Sequence, residues 1–128
     1  WDKNSYSGLK SYGTAKMAQL LSMIKFNEYF LGTEVTINAM HPGNVKTNSG
    51  KNNGKLYKSY KKLIIDRNAR SIENSSESLY YLGVSENVNN ISGKFFNLTT
   101  QEEPAPPALD KEEAEKLWHL SLELGGLK

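Results

Sequence analysis

Cysteine is absent from this sequence, which excludes disulfides, Cys-ligated zinc and thiol nucleophiles and fits a reducing compartment. Histidine occurs only twice, at His41 and His119, too few for a His-based metal centre, so no metal site is expected. Apolar runs long enough to cross a bilayer are missing. Neither sign of charge dominates: 16 basic residues against 14 acidic leave a net charge of +2, too mild to imply nucleic acid or an anionic membrane surface as partner. An initiator Met and a signal-peptide pattern are also lacking at Trp1, so the chain reads as a piece of a longer protein. Any targeting segment would lie outside it, and the expected location is the cytoplasm.

What is present describes one globular domain. The 128 residues are 38% hydrophobic and 23% charged, a balance that supports a packed core and argues against disorder. Asn is abundant, and with so many of them the three sequons at Asn74, Asn90 and Asn97 are read as chance rather than as glycosylation sites.

Residues 1–9 are polar and read as loop. From Lys10 to Leu31 the apolar residues Met17, Leu20, Leu21, Ile24 and Phe30 recur at helical spacing, with Gly32 as the stop. The β-branched, alternating run 35–41 predicts a strand, ended by Pro42-Gly43. Residues 47–56 carry Gly and Asn without apolar anchors and predict a mobile loop, followed by a short helix over 57–66. Ser71 is the expected N-cap of a helix to Val84 that buries Ile72, Leu79 and Leu82. A second strand is predicted around 93–98. Glu103 to Pro107 reads as an extended linker that cannot be helix. Asp110 with Glu113 resembles a capping box for a last helix whose face is Ala114, Leu117, Trp118 and Leu124. Strands alternating with helices imply an α/β fold with a parallel sheet covered on both faces. Two strands are too few for such a sheet, so its missing partners are expected from an N-terminal half of the same domain.

Chemistry enters through Tyr and Lys four residues apart, which share one helix face. A free phenol ionises near pH ~10, and an adjacent ammonium favours the phenolate, which lets the Tyr exchange protons with a substrate oxygen for a rate gain of roughly 10²- to 10⁴-fold. Tyr6/Lys10, Tyr12/Lys16 and Tyr57/Lys61 all have this spacing. Context selects Tyr12/Lys16. The intervening Gly13-Thr14-Ala15 are small, so a ring or another helix can approach the backbone. This pair also opens the longest amphipathic helix, whereas Tyr6 lies in loop and Tyr57 is followed by bulky Lys58 and Tyr60.

Tyr12-Gly13-Thr14-Ala15-Lys16, followed by Val35-Thr36-Ile37-Asn38-Ala39-Met40-His41-Pro42-Gly43-Asn44-Val45-Lys46-Thr47, resembles the short-chain dehydrogenase/reductase superfamily and, more narrowly, its retinol dehydrogenase-like branch. The resemblance continues through Ser85–Val88, Ile91–Phe96 and Ala114–Ser121, nearly the whole chain. It implies the C-terminal half of a Rossmann-type doubly wound parallel sheet, with residues 1–128 part of a single NAD(P)-binding domain and 47–66 the substrate lid. It implies an oxidoreductase that interconverts an alcohol and a carbonyl, with NADP or NAD as cofactor. Tyr12 would be the catalytic acid/base. Lys16 would tune it and hold the nicotinamide ribose. Pro42 and Gly43 would turn the backbone so that the Val45 main chain meets the carboxamide, and the Thr47 hydroxyl would also reach the cofactor. The family's catalytic Ser lies further upstream of the Tyr than Ser5, Ser7 or Ser11, at a position before Trp1, and so does the glycine-rich phosphate turn. The fragment alone is therefore expected to be inactive. In this superfamily the Tyr-bearing helix often packs in a dimer interface, which makes a homodimer one expected partnership.

Other residues have plainer readings. His41, at a strand end before Pro-Gly, is expected to be a packed, non-catalytic His. Lys51, Lys55, Lys58, Lys61 and Lys62 read as a solvated lid surface rather than an anion patch. Tyr57, Tyr60, Tyr80 and Tyr81 are explained equally by pocket lining and by burial of amphipathic rings. Trp118 is expected in the core. The alternative to an enzyme is a non-catalytic relative acting through protein interaction, and the presence of both Tyr12 and Lys16 weighs against it.

Overall fold

A computed structural model describes residues 7–43, 45 and 72–127. The element order is α1 (Gly8–Tyr29), β1 (Ala39–His41), α2 (Ile72–Val84), β2 (Phe95–Asn97), β3 (Thr100–Glu102) and α3 (Lys111–Leu124), with short 3-10 turns at Glu86–Val88 and Pro106–Leu109. The three strands form one sheet in the order β1-β2-β3. Gly93 N–H donates to Ile37 O, Ala39 N–H to Lys94 O and Leu98 N–H to His41 O, at 2.7, 2.9 and 3.0 Å. Partner numbers rise together, so β1 and β2 run parallel. β3 pairs antiparallel with β2, Phe95 opposite Glu102 and Asn97 opposite Thr100. This is an α/β fold with a small mixed sheet, as expected of part of a Rossmann-like domain.

Two compact units share the chain. The first takes in the described residues of Trp1–Ala39, Ile91–Lys94 and Glu103–Lys128. Here α1 and α3 pack through apolar stripes. Leu21 and Met23 of α1 and Ala114 of α3 are buried, and the Phe26 and Trp118 rings meet edge to face at 5.1 Å. Lys25 ties the same two helices by reaching Glu115. Asp110 caps α3, its Oδ1 accepting from the Glu112 and Glu113 amides. The reciprocal half of a capping box is replaced by an ion pair of Glu113 with Lys116 at 2.7 Å.

The join between β1 and β2 is reinforced by side chains of this first unit. Asn38 donates to Ile91 O and accepts from Lys94 N–H. Ser92 Oγ accepts from Ile37 N–H and donates to Asn27 Oδ1 at 2.6 Å. Gly93 sits at φ +69°, and a Cβ there would come within 2.7 Å of the Asn27 amide. The positive φ favours glycine at this position, and the Asn27 side chain would have to shift to admit a Cβ.

The second unit takes in the described residues of Met40–Asn90 and Phe95–Glu102. Its buried residues include Ser78, Val88 and Phe96. Leu98 turns the β2–β3 hairpin at φ +57°, a left-handed conformation that costs an L-residue about 1–2 kcal/mol.

Several expectations are corrected. Residues 8 and 9 belong to α1 rather than to a leading loop, and the helix ends at Tyr29, two residues before Leu31. The chain then turns through Gly32 at φ +83°. The ladder claims only Ala39–His41 of the expected strand 35–41, because Ile37 N–H goes to the Ser92 hydroxyl. Pro106–Leu109 is a 3-10 turn, not purely extended linker; proline is barred from a helix interior but not from its first turn. Ile72 and Leu79 are 56% and 63% exposed and Leu124 80%, since nothing among the described residues covers those faces. Leu82 and Trp118 are half-buried. Ser71, Tyr6 and the 47–66 region lie outside the described residues.

Candidate functional site

The residues singled out in the sequence fall in both compact units, one group within each. The first is on α1. Tyr12 and Lys16 stand one turn apart on an exposed face, with Tyr12 66% accessible. The Lys16 ammonium lies 5.7 Å from the centre of the Tyr12 ring, a cation–π distance, and donates to Gln19 Oε1 at 3.1 Å. The spacing Tyr-x-x-x-Lys thus brings the pair together as read from the sequence. The lysine charge stands over the ring. Gly13, between them, has no atom within 4 Å of where a Cβ would stand, so a flat group can lie against the helix there.

The second group follows β1. Pro42 and Gly43 make a tight turn, Gly43 at φ +76°, where glycine has least strain. Val45 is half-buried in a β-bridge. Thr47 falls outside the described residues. His41 is exposed, which corrects its expected packed position: the backbone is pinned by Leu98 N–H, and the ring projects outward and forward, its Nδ1 accepting from Gly43 N–H at 2.8 Å. Ser75 of α2 donates to Pro42 O at 2.5 Å. Sequence reasoning missed both contacts. A side-chain acceptor two residues before Gly in a turn was the available signal for His41, in the manner of an Asx turn; nothing local marked Ser75.

Among the described residues, no three His, Asp or Glu side chains group as metal ligands, and no helix is long and apolar enough to cross a membrane. In the first unit the exposed Lys16 ammonium donates to Gln19 Oε1 beside the open space at Gly13; in the second, Gly43 turns the main chain ahead of Val45. Elsewhere in the first unit, an apolar groove of about 440 Å³ lies between α1 and α3, lined by Met17, Leu21, Leu117 and Leu120 among others. Going round α1, Met17 and Leu21 lie on the side away from Tyr12 and Lys16.

No family model matches the chain. Individual relatives do. Human retinol dehydrogenase 13 is 31% identical over 132 residues, covering 100% of this chain and 40% of that protein. Human retinol dehydrogenase 14 is 32% identical over 127 residues, covering 98% and 38%. The chloroplastic short-chain dehydrogenase TIC 32 A of Brassica napus is 30% identical over 128 residues, covering 96% and 39%. Along nearly its whole length the chain is similar to retinol dehydrogenase-like short-chain dehydrogenases. It spans about two fifths of the length of these relatives. The family is one of oxidoreductases, and the stretch shared with this chain runs from α1 through α3.

Proposed function

We propose that the protein carrying this chain interconverts an alcohol and a carbonyl with NAD or NADP, and that residues 1–128 form part of its single dinucleotide-binding domain, with 47–66 as the lid over the substrate. The observation that carries the reading is the Tyr12/Lys16 pair: side by side on an open helix face, in a chain similar to dehydrogenases along its whole length.

When bound, the dinucleotide donates or accepts the hydride. The chain's own residues handle the proton and the placement. The Tyr12 hydroxyl gives its proton to the carbonyl oxygen during reduction and takes it back during oxidation. Lys16 stabilises the phenolate left behind and donates to ribose hydroxyls; turning from Gln19 and the ring face toward the hydroxyl needs only side-chain rotation. Val45 offers main-chain groups to the carboxamide, and Thr47 a hydroxyl.

The test is steady-state reduction of a carbonyl panel by the full-length protein, with NADPH and NADH. Tyr12→Phe removes only the hydroxyl and should lower turnover by at least roughly 10²-fold, with cofactor affinity retained. Tyr6→Phe shares the spacing, lies outside the proposed lid and should keep the wild-type rate. Full turnover in Tyr12→Phe would remove Tyr12 as the acid/base, and a wild-type protein that reduces no carbonyl with either dinucleotide would leave the non-catalytic reading in its place.

A further inference from the structure

The peptide plane between Pro42 and Gly43 is gripped at both ends by side chains. Its N–H belongs to Gly43 and donates to His41 Nδ1 at 2.8 Å. Its carbonyl belongs to Pro42 and accepts from Ser75 Oγ at 2.5 Å. Each grip comes from a fixed element. His41 closes β1, and its own carbonyl accepts from Leu98 N–H. Ser75 lies in the first turn of α2.

We propose that His41 and Ser75 are positioning residues, which hold the Pro42–Gly43 plane in the orientation from which the chain delivers Val45 to the cofactor. The inference rests on the dehydrogenase reading above and deepens it. A peptide plane before a glycine flips readily, because Gly tolerates φ of either sign, and a flip redirects the backbone that follows. Pro42 restricts its own φ but leaves its ψ free to follow such a flip. Two hydrogen bonds on opposite ends of one plane oppose the rotation. They also occupy the plane's donor and one of the two lone pairs of its acceptor, so Pro42 and Gly43 serve the cofactor mainly by shape and Val45 by contact. For His41 the grip requires Nδ1 without a proton, which puts the ring hydrogen on Nε2.

The experiment uses the full-length protein and four variants. His41→Phe keeps a flat ring without the acceptor, and His41→Asn restores an acceptor through Oδ1. Ser75→Ala removes the hydroxyl, and Ser75→Thr keeps it. Three quantities are measured: amide exchange of Gly43 by NMR without cofactor, dinucleotide Kd by fluorescence titration, and kcat and KM. Loss of one grip corresponds to one hydrogen bond, so His41→Phe and Ser75→Ala should weaken dinucleotide binding roughly 2- to 10-fold. The loss should appear in cofactor KM rather than in kcat. Gly43 exchange should quicken in His41→Phe, and the Asn and Thr variants should recover most of the affinity. Unchanged Gly43 exchange and unchanged Kd in His41→Phe, in a protein that does bind dinucleotide, overturns the positioning role alone. A wild-type protein that binds neither dinucleotide overturns the dehydrogenase reading and this role with it, whatever the exchange rates.

Discussion

Lys25 of α1 and Glu115 of α3, 90 positions apart in sequence, meet at 2.5 Å. Lys25 also holds Glu28 at 2.6 Å, and the other oxygen of Glu115 faces His119 Nε2 at 2.8 Å. The Lys25 side chain is only 16% exposed, its methylenes laid along the helix pair. Hydrogen bonds to Glu115 and then Glu28 raise the Lys25 pKa, and the bond to Lys25 is the main cause that lowers that of Glu115.

Those shifts fix a pH window. The raised Lys25 contributes stability that is present below the ordinary lysine value and fades as pH climbs through its higher folded value. The lowered Glu115 contributes above the ordinary glutamate value and loses it as pH falls through its lower folded value. Glu115→Gln should therefore lower the melting temperature modestly across neutral pH, with the gap to wild type closing at the acid end. Thermal melts from strongly acidic to neutral pH check this, and added salt should narrow the neutral-pH gap. A constant gap at every pH would mean the pair contributes packing alone.

Gly93→Ala is expected to be among the costlier surface-loop changes, roughly 1–3 kcal/mol, since the new methyl meets both the positive φ and the Asn27 amide. Asn27→Ala removes the steric part of that cost while forfeiting the bond from Ser92. The double variant should be more stable than the sum of the two singles predicts. A double-mutant cycle by denaturant unfolding measures the coupling, and additive values would show that φ alone sets the glycine.

Ala114, fully buried on the α1-facing side of α3, sets how close the two helices come. Ala114→Leu should cost about 1–3 kcal/mol by overpacking and weaken the Phe26–Trp118 contact. The Trp118 fluorescence spectrum should shift to the red with the loss in melting temperature. An unshifted spectrum in a destabilised variant would place the strain elsewhere.

Lys16→Ala in the full-length protein should depress both turnover and cofactor affinity, because the proposed function assigns one ammonium to both the phenol and the ribose. Tyr12→Phe, by contrast, should depress turnover alone. Initial-rate kinetics at varied cofactor separate the two patterns. Equal KM in wild type and Lys16→Ala would remove the ribose from the duties of Lys16.

Much of this architecture was legible in the residues because it depends on local chemistry. The period of Met17, Leu21 and Ile24 marks α1, Asp110 marks the start of α3, and Pro42-Gly43 marks the end of β1. The Tyr12/Lys16 pair follows from helix geometry itself. What escaped depends on distant partners. The Thr-Gln-Glu of β3 has no strand signature and is a strand only because Leu98 turns it back on β2. Ile72 and Leu79 have a buried-looking spacing, but spacing cannot supply the surface that would cover them. The hydroxyl of Ser75 acquires its role only when α2 meets the turn at Pro42.

β3 also decides where this sheet can be extended. Its three residues are all exposed, and Pro104, two positions beyond, lacks an amide hydrogen to donate to a neighbouring strand. On that flank the hairpin acts as a terminator and protects β2 from edge-to-edge association. Growth is left to the other side, along β1. A further parallel strand docked beside Ala39–His41 would leave the strand that leads into the Pro42–Gly43 turn flanked on both sides, as an interior strand.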